Sequence, residues 1–92
     1  MLIRRVARRY WISGVVQGVG FRYFAYRVAQ KHHITGYARN LEDGRVEVYA
    51  VGAPKKLSDL AAALHAGPNL SDVRSVEERD ASVQTMSGFR VI

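Results

Sequence analysis

Gly14, Gly18 and Gly20 stand just ahead of Arg22 in the run Gly14-Val-Val-Gln-Gly-Val-Gly-Phe-Arg22. Glycine lets a backbone approach a ligand closely, and lets successive N–H groups turn inward as a nest. If a helix begins just beyond the loop, its first N–H groups are unpaired and its dipole favours an anion. Arg22 adds a planar fork able to grip two oxygens of one phosphate. The chemistry these parts suggest is retention of one small, doubly charged anion. The named nucleotide motifs are not met: there is no G-x-x-x-x-G-K-[ST], and Tyr23 stands where G-x-G-x-x-G needs its last glycine. On the loop alone, a tight turn with Arg22 at the surface is an equal alternative.

The other reactive side chains do not assemble by spacing. His32 and His33 are adjacent and His65 is remote, so none has the i, i+4 partner of a helical metal pair. They read as surface or helix-end residues. Glu42 and Asp43 sit beside Gly44 and read as turn formers rather than an acid pair. Ser13 and Ser87 lack a histidine at a suggestive spacing. The chain has no cysteine, which excludes disulfides, zinc-thiolate sites and thiol nucleophiles and favours a cytoplasmic location.

The elements that must position the loop follow from periodicity. Arg8 to Val15 is aromatic and β-branched and reads as a strand, with Tyr10 and Ile12 toward the core and Trp11 on the sheet surface. Phe21, Phe24, Ala25, Val28 and Ala29 keep the spacing of an amphipathic helix, which ends at Lys31-His32-His33. Thr35–Asn40 and Arg45–Val51 read as two strands around the hairpin signal Asp43-Gly44. Pro54 opens a second helix whose buried stripe is Leu57, Leu60, Ala61 and Leu64, and Gly67-Pro68 stops it. Asp72–Asp80 reads as a weaker strand, since Val73 and Val76 do not alternate cleanly. Glu77, Glu78 and Asp80 suit a charged, edge-protecting face, and Phe89 and Val91 suggest a short fifth strand. The order β-α-β-β-α-β predicts an α+β, ferredoxin-like sandwich, an antiparallel sheet with both helices on one face.

Ninety-two residues suit a single domain over 1–92. With 48% hydrophobic and 24% charged residues the chain reads as folded rather than disordered. No apolar run reaches the length of a membrane span, so a soluble chain without a membrane partner is expected. Fourteen Lys and Arg against eight Asp and Glu leave a net charge of +6. Residues 1–46 carry nine of the basic side chains and only two acidic ones. Arg4, Arg5, Arg8 and Arg9 supply much of that excess. Because no apolar stretch separates Met1-Leu-Ile from Arg4-Arg5, residues 1–7 read as a solvated basic lead rather than a targeting peptide. Basic charge alone would suggest nucleic acid.

At Gly14-Val-Val16-Gln17-Gly18-Val19-Gly20-Phe21-Arg22 the chain resembles the first signature of the acylphosphatase family, G-x-V-Q-G-V-x-F-R. The second signature, G-[aromatic]-[small]-[K/R]-N-x3-G-x-V-x5-G, is matched by Gly36-Tyr37-Ala38-Arg39-Asn40, Gly44, Val46 and Gly52. Every specified position is filled without insertion. The resemblance implies the same sandwich fold and metal-independent, cofactor-free hydrolysis of the carboxyl–phosphate bond of small acyl phosphates. It implies Arg22 as the phosphate-binding arginine and Asn40 as the residue that positions water. It also implies that the amides of Gln17, Gly18, Val19, Gly20, Phe21 and Arg22 cradle the phosphate. Inorganic phosphate would be product and inhibitor, and the protein a monomer. Arg39, one residue before Asn40, should face the other side of the sheet.

Two other classes share the architecture. An RNA-binding module has the same element order, and Thr35-Gly36-Tyr37-Ala38 echoes part of its aromatic motif. That echo fails at Arg39-Asn40 and lies on the second strand rather than the third. A non-catalytic phosphate sensor would use the loop and Arg22 but would not require Asn40.

Overall fold

Alternation decides the first element. Tyr10 and Ile12 are fully buried, while the guanidinium of Arg9 lies over the Tyr49 ring on the opposite face. A computed structural model describes residues 4–92, in which this strand, β1, spans Val6–Val15. Residues 1–3 of the expected basic lead lie outside the described residues. The strand starts two residues sooner than its aromatic run implies, because Val6 and Ala7 pair with Gly52 and Val51.

The remaining elements are α1 (Phe21–Lys31), β2 (Thr35–Asn40), β3 (Val46–Gly52), α2 (Pro54–Ala66), β4 (Asp72–Ala81) and β5 (Phe89–Val91). They form one five-stranded sheet in the order β4-β1-β3-β2-β5. Phe21, Ala25 and Ala29 of α1 and Leu57, Leu60 and Leu64 of α2 share a core with Tyr10, Ile12, Ala38, Val46, Val48 and Ala50. Both helices therefore cover one face, as the ferredoxin-like reading requires. Each buried leucine contributes on the order of 2 kcal/mol by leaving water. The Tyr10 hydroxyl donates to the Leu57 carbonyl at 3.4 Å, and burial pushes its phenol well above the usual range.

The sheet is not wholly antiparallel. The fifth strand is present and runs parallel to β2, with Gly36 opposite Phe89 and Ala38 opposite Val91. The chain reaches that edge by carrying residues 82–88 across the face that the helices leave open. Met86 packs there with Ala7, Tyr37, Tyr49, Val51 and Ala81. The Tyr49 hydroxyl donates to the Ser82 carbonyl at 2.6 Å and accepts from the Gln84 N–H at 2.9 Å. This strap explains why β3 is buried along its whole length.

The irregular spacing of Val73 and Val76 has a structural cause. Ser13 pairs with Ser75 and Gly14 with Val73, so Arg74 is an extra residue on β4 and forms a bulge. The bulge restores Val73 to the core side, and both valines pack against the main core. Gly14 makes this possible: its φ is +129°, and a Cβ there would lie 2.0 Å from the Asp72 carbonyl oxygen. Gly14→Ala is expected to destabilise the fold by about 2 kcal/mol or more. Urea unfolding of the two proteins, compared at equal m-value, checks this.

Candidate functional site

The turn from β1 into α1 is made by Gly18 and Gly20, with φ of +75° and +78°. Gly20 is the N-cap of α1 in the left-handed conformation, with no capping side chain and no acidic residue in the first turn. The unpaired N–H groups and the positive end of the helix dipole are thus left to an anion. A cavity of about 140 Å³ opens at this point. Its floor includes the buried side chains of Val16 and Phe21, and its wall includes Gly18, Gly20, Arg22 and Asn40.

Arg22 and Asn40 arrive from different elements. Arg22 is in the first turn of α1, and its Nη1 donates to the main-chain oxygen of Ile92. That oxygen is in reach because β5 lies beside β2, where the Ile92 N–H donates to the Ala38 carbonyl at 3.0 Å. Asn40 is the last residue of β2, paired with Val46 and on the same face of the strand as buried Ala38. Its side chain makes no hydrogen bond among the described residues. Arg39 faces the opposite side, where its Nε donates to the Glu47 carboxylate at 2.6 Å.

The hairpin after Asn40 is closed by two backbone bonds, Leu41 N–H to the Arg45 carbonyl and Gly44 N–H to the Leu41 carbonyl. Asp43 reinforces it by accepting from the Arg45 N–H at 3.1 Å and from the Arg45 Nε at 2.9 Å. The first of these bonds chiefly holds its carboxyl below the usual aspartate range. Glu42 and Asp43 are exposed turn residues, away from the cavity wall.

Of the expected cradle residues, Gly18, Gly20, Phe21 and Arg22 line the cavity. Gln17 and Val19 do not. Val19 packs against the main core. The Gln17 side chain turns to the hairpin, where its Nε2 donates to the carbonyls of Leu41 at 2.8 Å and Arg45 at 3.0 Å. One amide therefore ties the glycine loop to the turn that carries Asn40. Sequence reasoning assigned Gln17 to the cradle by its main-chain amide and missed this side-chain tie, since the partners are main-chain atoms. It also missed Tyr23 and Val91, which complete the cavity wall.

Volume does not decide the site. A larger concavity of about 430 Å³ lies between α1 and the 87–89 segment, lined by Tyr26, Gln30, His33, Thr35 and Phe89 among others. It has neither an arginine nor a glycine nest at a helix start, so it lacks the convergent donors that a phosphate needs.

A family model described as Acylphosphatase matches residues 8–91, which includes every residue of this site. The chain belongs to the acylphosphatase family. A curated relative named acylphosphatase, from Solibacter usitatus, is 58% identical over 85 residues, which is 92% of this chain and 88% of that protein. Among solved structures, an acylphosphatase from Coxiella burnetii superposes with a TM-score of 0.92 at 33% identity, covering 96% of this chain and 93% of that one. One from Bacillus subtilis gives the same score and identity, with 95% and 98% covered.

Two expectations follow from the hairpin. Gln17→Ala should cost about 1–2 kcal/mol, the net worth of two hydrogen bonds. It should also speed amide exchange across residues 41–45, measurable by hydrogen-exchange NMR. Asp43 should titrate below the ordinary aspartate value. Its contribution to the turn is complete above that ordinary value and is lost as pH falls through the depressed one. The Arg45 amide shift should follow the Asp43 carboxyl with the same midpoint.

Proposed function

We propose that this chain hydrolyses the carboxyl–phosphate bond of small acyl phosphates, with Arg22 and Asn40 as its catalytic residues and no cofactor. The observation that carries this is the meeting of Arg22, Asn40, Gly18 and Gly20 around one cavity of about 140 Å³. Membership of the acylphosphatase family favours acylphosphatase activity over the alternative classes.

The reaction needs few parts because the substrate is already activated. Its leaving group is a carboxylate, a weak base that departs without being protonated. Arg22 and the free amides of the loop and first helical turn neutralise the phosphoryl oxygens as charge shifts in the transition state. Asn40 can donate and accept at once, so it holds a water in line with the phosphorus–oxygen bond that breaks. An amide is no base at neutral pH. The water's proton therefore passes to a phosphoryl oxygen of the substrate, and the products are a carboxylate and inorganic phosphate. The product fits the same cradle and competes with substrate.

The RNA-binding alternative fails on the surface it would need. Such a module stacks bases on aromatic side chains of the open sheet face. Here Tyr49 is 1% exposed under the 82–86 strap. Four arginines of the N-terminal half also face acidic side chains: Arg8 meets Glu78 at 2.7 Å, Arg39 and Arg9 share Glu47, and Arg45 pairs with Asp43. Among the described residues no helix is long and apolar enough to cross a membrane. We place the protein in the cytoplasm as a monomer, a single domain over 1–92.

Purified protein should release phosphate from acetyl phosphate in the presence of a chelator, with competitive inhibition by inorganic phosphate. Asn40→Ala should lose about 100-fold or more in kcat while still binding phosphate. Arg22→Ala should lose both binding and turnover, by about 1000-fold in kcat/KM. No release above background by the parent protein, or full activity in the Asn40 variant, overturns the reading.

A further inference from the structure

We infer that Tyr23 is a specificity-determining residue, a flat apolar platform that receives the acyl group and favours aromatic acyl phosphates over acetyl phosphate. The inference rests on the proposed reaction and extends it to the half of the substrate that the phosphate cradle does not grip.

The cavity is small, and its charged and polar side chains, Arg22 and Asn40, are spoken for by the phosphate and the attacking water. The acyl carbon is joined to phosphorus through a single oxygen, so the acyl substituent must lie at the mouth. Two side chains of the cavity wall are both apolar and exposed, Tyr23 at 57% and Val91 at 45%. Among the described residues no Asp or Glu side chain lines the cavity. The mouth therefore offers an uncharged surface with an aromatic ring in it.

Tyr23 is also held in place. Its ring stacks on Tyr26 with centroids 5.7 Å apart and planes 26° apart, and the Arg27 guanidinium lies 5.4 Å from its centroid. An exposed tyrosine fixed in this way has given up its rotamer freedom before the ligand arrives, so little ordering remains to oppose binding. Because Tyr23 directly follows Arg22 on the first turn of α1, the platform keeps a fixed distance from the guanidinium that fixes the phosphate. A planar acyl group gains from offset stacking on such a ring, whereas an acetyl group is too small to cover it.

The test compares benzoyl phosphate with acetyl phosphate for the parent protein, Tyr23→Ala and Tyr23→Phe. Tyr23→Ala should lower kcat/KM for benzoyl phosphate about three- to tenfold, mainly through KM, and leave acetyl phosphate within about twofold. Tyr23→Phe should retain the preference. Equal losses on both substrates, or an unchanged ratio, overturn the inference. A parallel binding measurement uses benzoylphosphonate and acetylphosphonate, whose carbon–phosphorus bond is not cleaved. Tighter binding of benzoylphosphonate that Tyr23→Ala abolishes supports the platform even if no phosphate is released, which would count against the hydrolase reading alone. Equal affinity of the parent for the two phosphonates overturns the platform even where turnover is normal.

Discussion

The amide of Gln17 is the contact on which the site depends. The loop proposed to receive the phosphate contains glycines with left-handed backbones, which bring no side-chain packing of their own. The turn that follows Asn40 is exposed and equally without a core. Neither would keep its place within the small tolerance that a positioned water requires. By donating to the carbonyls of both Leu41 and Arg45, Gln17 makes the two loops one unit. Val16, buried beside it, fixes that unit to the main core. One side chain thus couples two segments that the core and the β2–β3 ladder each anchor at their ends.

Much of the architecture was legible because its signals are local. The periodicity from Phe21 to Ala29, Asp43-Gly44 between two strands and Pro54 at a helix start each act within a few residues. What was not legible depends on distant backbone. The spacing of Val73 and Val76 looked like a poor strand, yet it is the mark of the bulge at Arg74, visible only once β4 is set against Gly14. The direction of β5 could not be read from three residues, because parallel pairing is decided by the strap that delivers them. Arg22 and Asn40 were legible through their signatures and not through chemistry alone. Tyr23 was missed because it falls just past the first signature and Val91 because it lies far from both, and only the fold brings them to the cavity.

The positive charge of the chain also changes meaning when placed on the fold. Arg8 and Arg9 belong to β1, as their place in the aromatic run implies, and their partners come from the second half of the sequence. Glu47 is only 6% exposed, and removing a carboxylate from water is costly unless cations and hydrogen bonds replace the solvent. Arg39, Arg9 and the Tyr37 hydroxyl supply that replacement on the sheet face opposite Asn40. These arginines are occupied in holding the open face of the sheet together. Arg22, by contrast, has no acidic side chain as its partner and donates to a main-chain oxygen of Ile92.

A choice of main-chain partners runs through the site. Arg22 rests on the oxygen of Ile92, Gln17 on the carbonyls of Leu41 and Arg45, and Asn40 on its register with Val46. Any amino acid supplies a carbonyl. Leu41 and Arg45 fall at unspecified positions of the second signature, and the geometry shows why they can: the site uses their backbones only. The donors have no such freedom, since a two-acceptor amide and a planar fork each require one side chain. A site built in this way also keeps acidic side chains away from the proposed phosphate position, where they would repel the substrate and offset Arg22. The signature therefore specifies the donors and the glycines that let backbone approach, and leaves the acceptors to the fold.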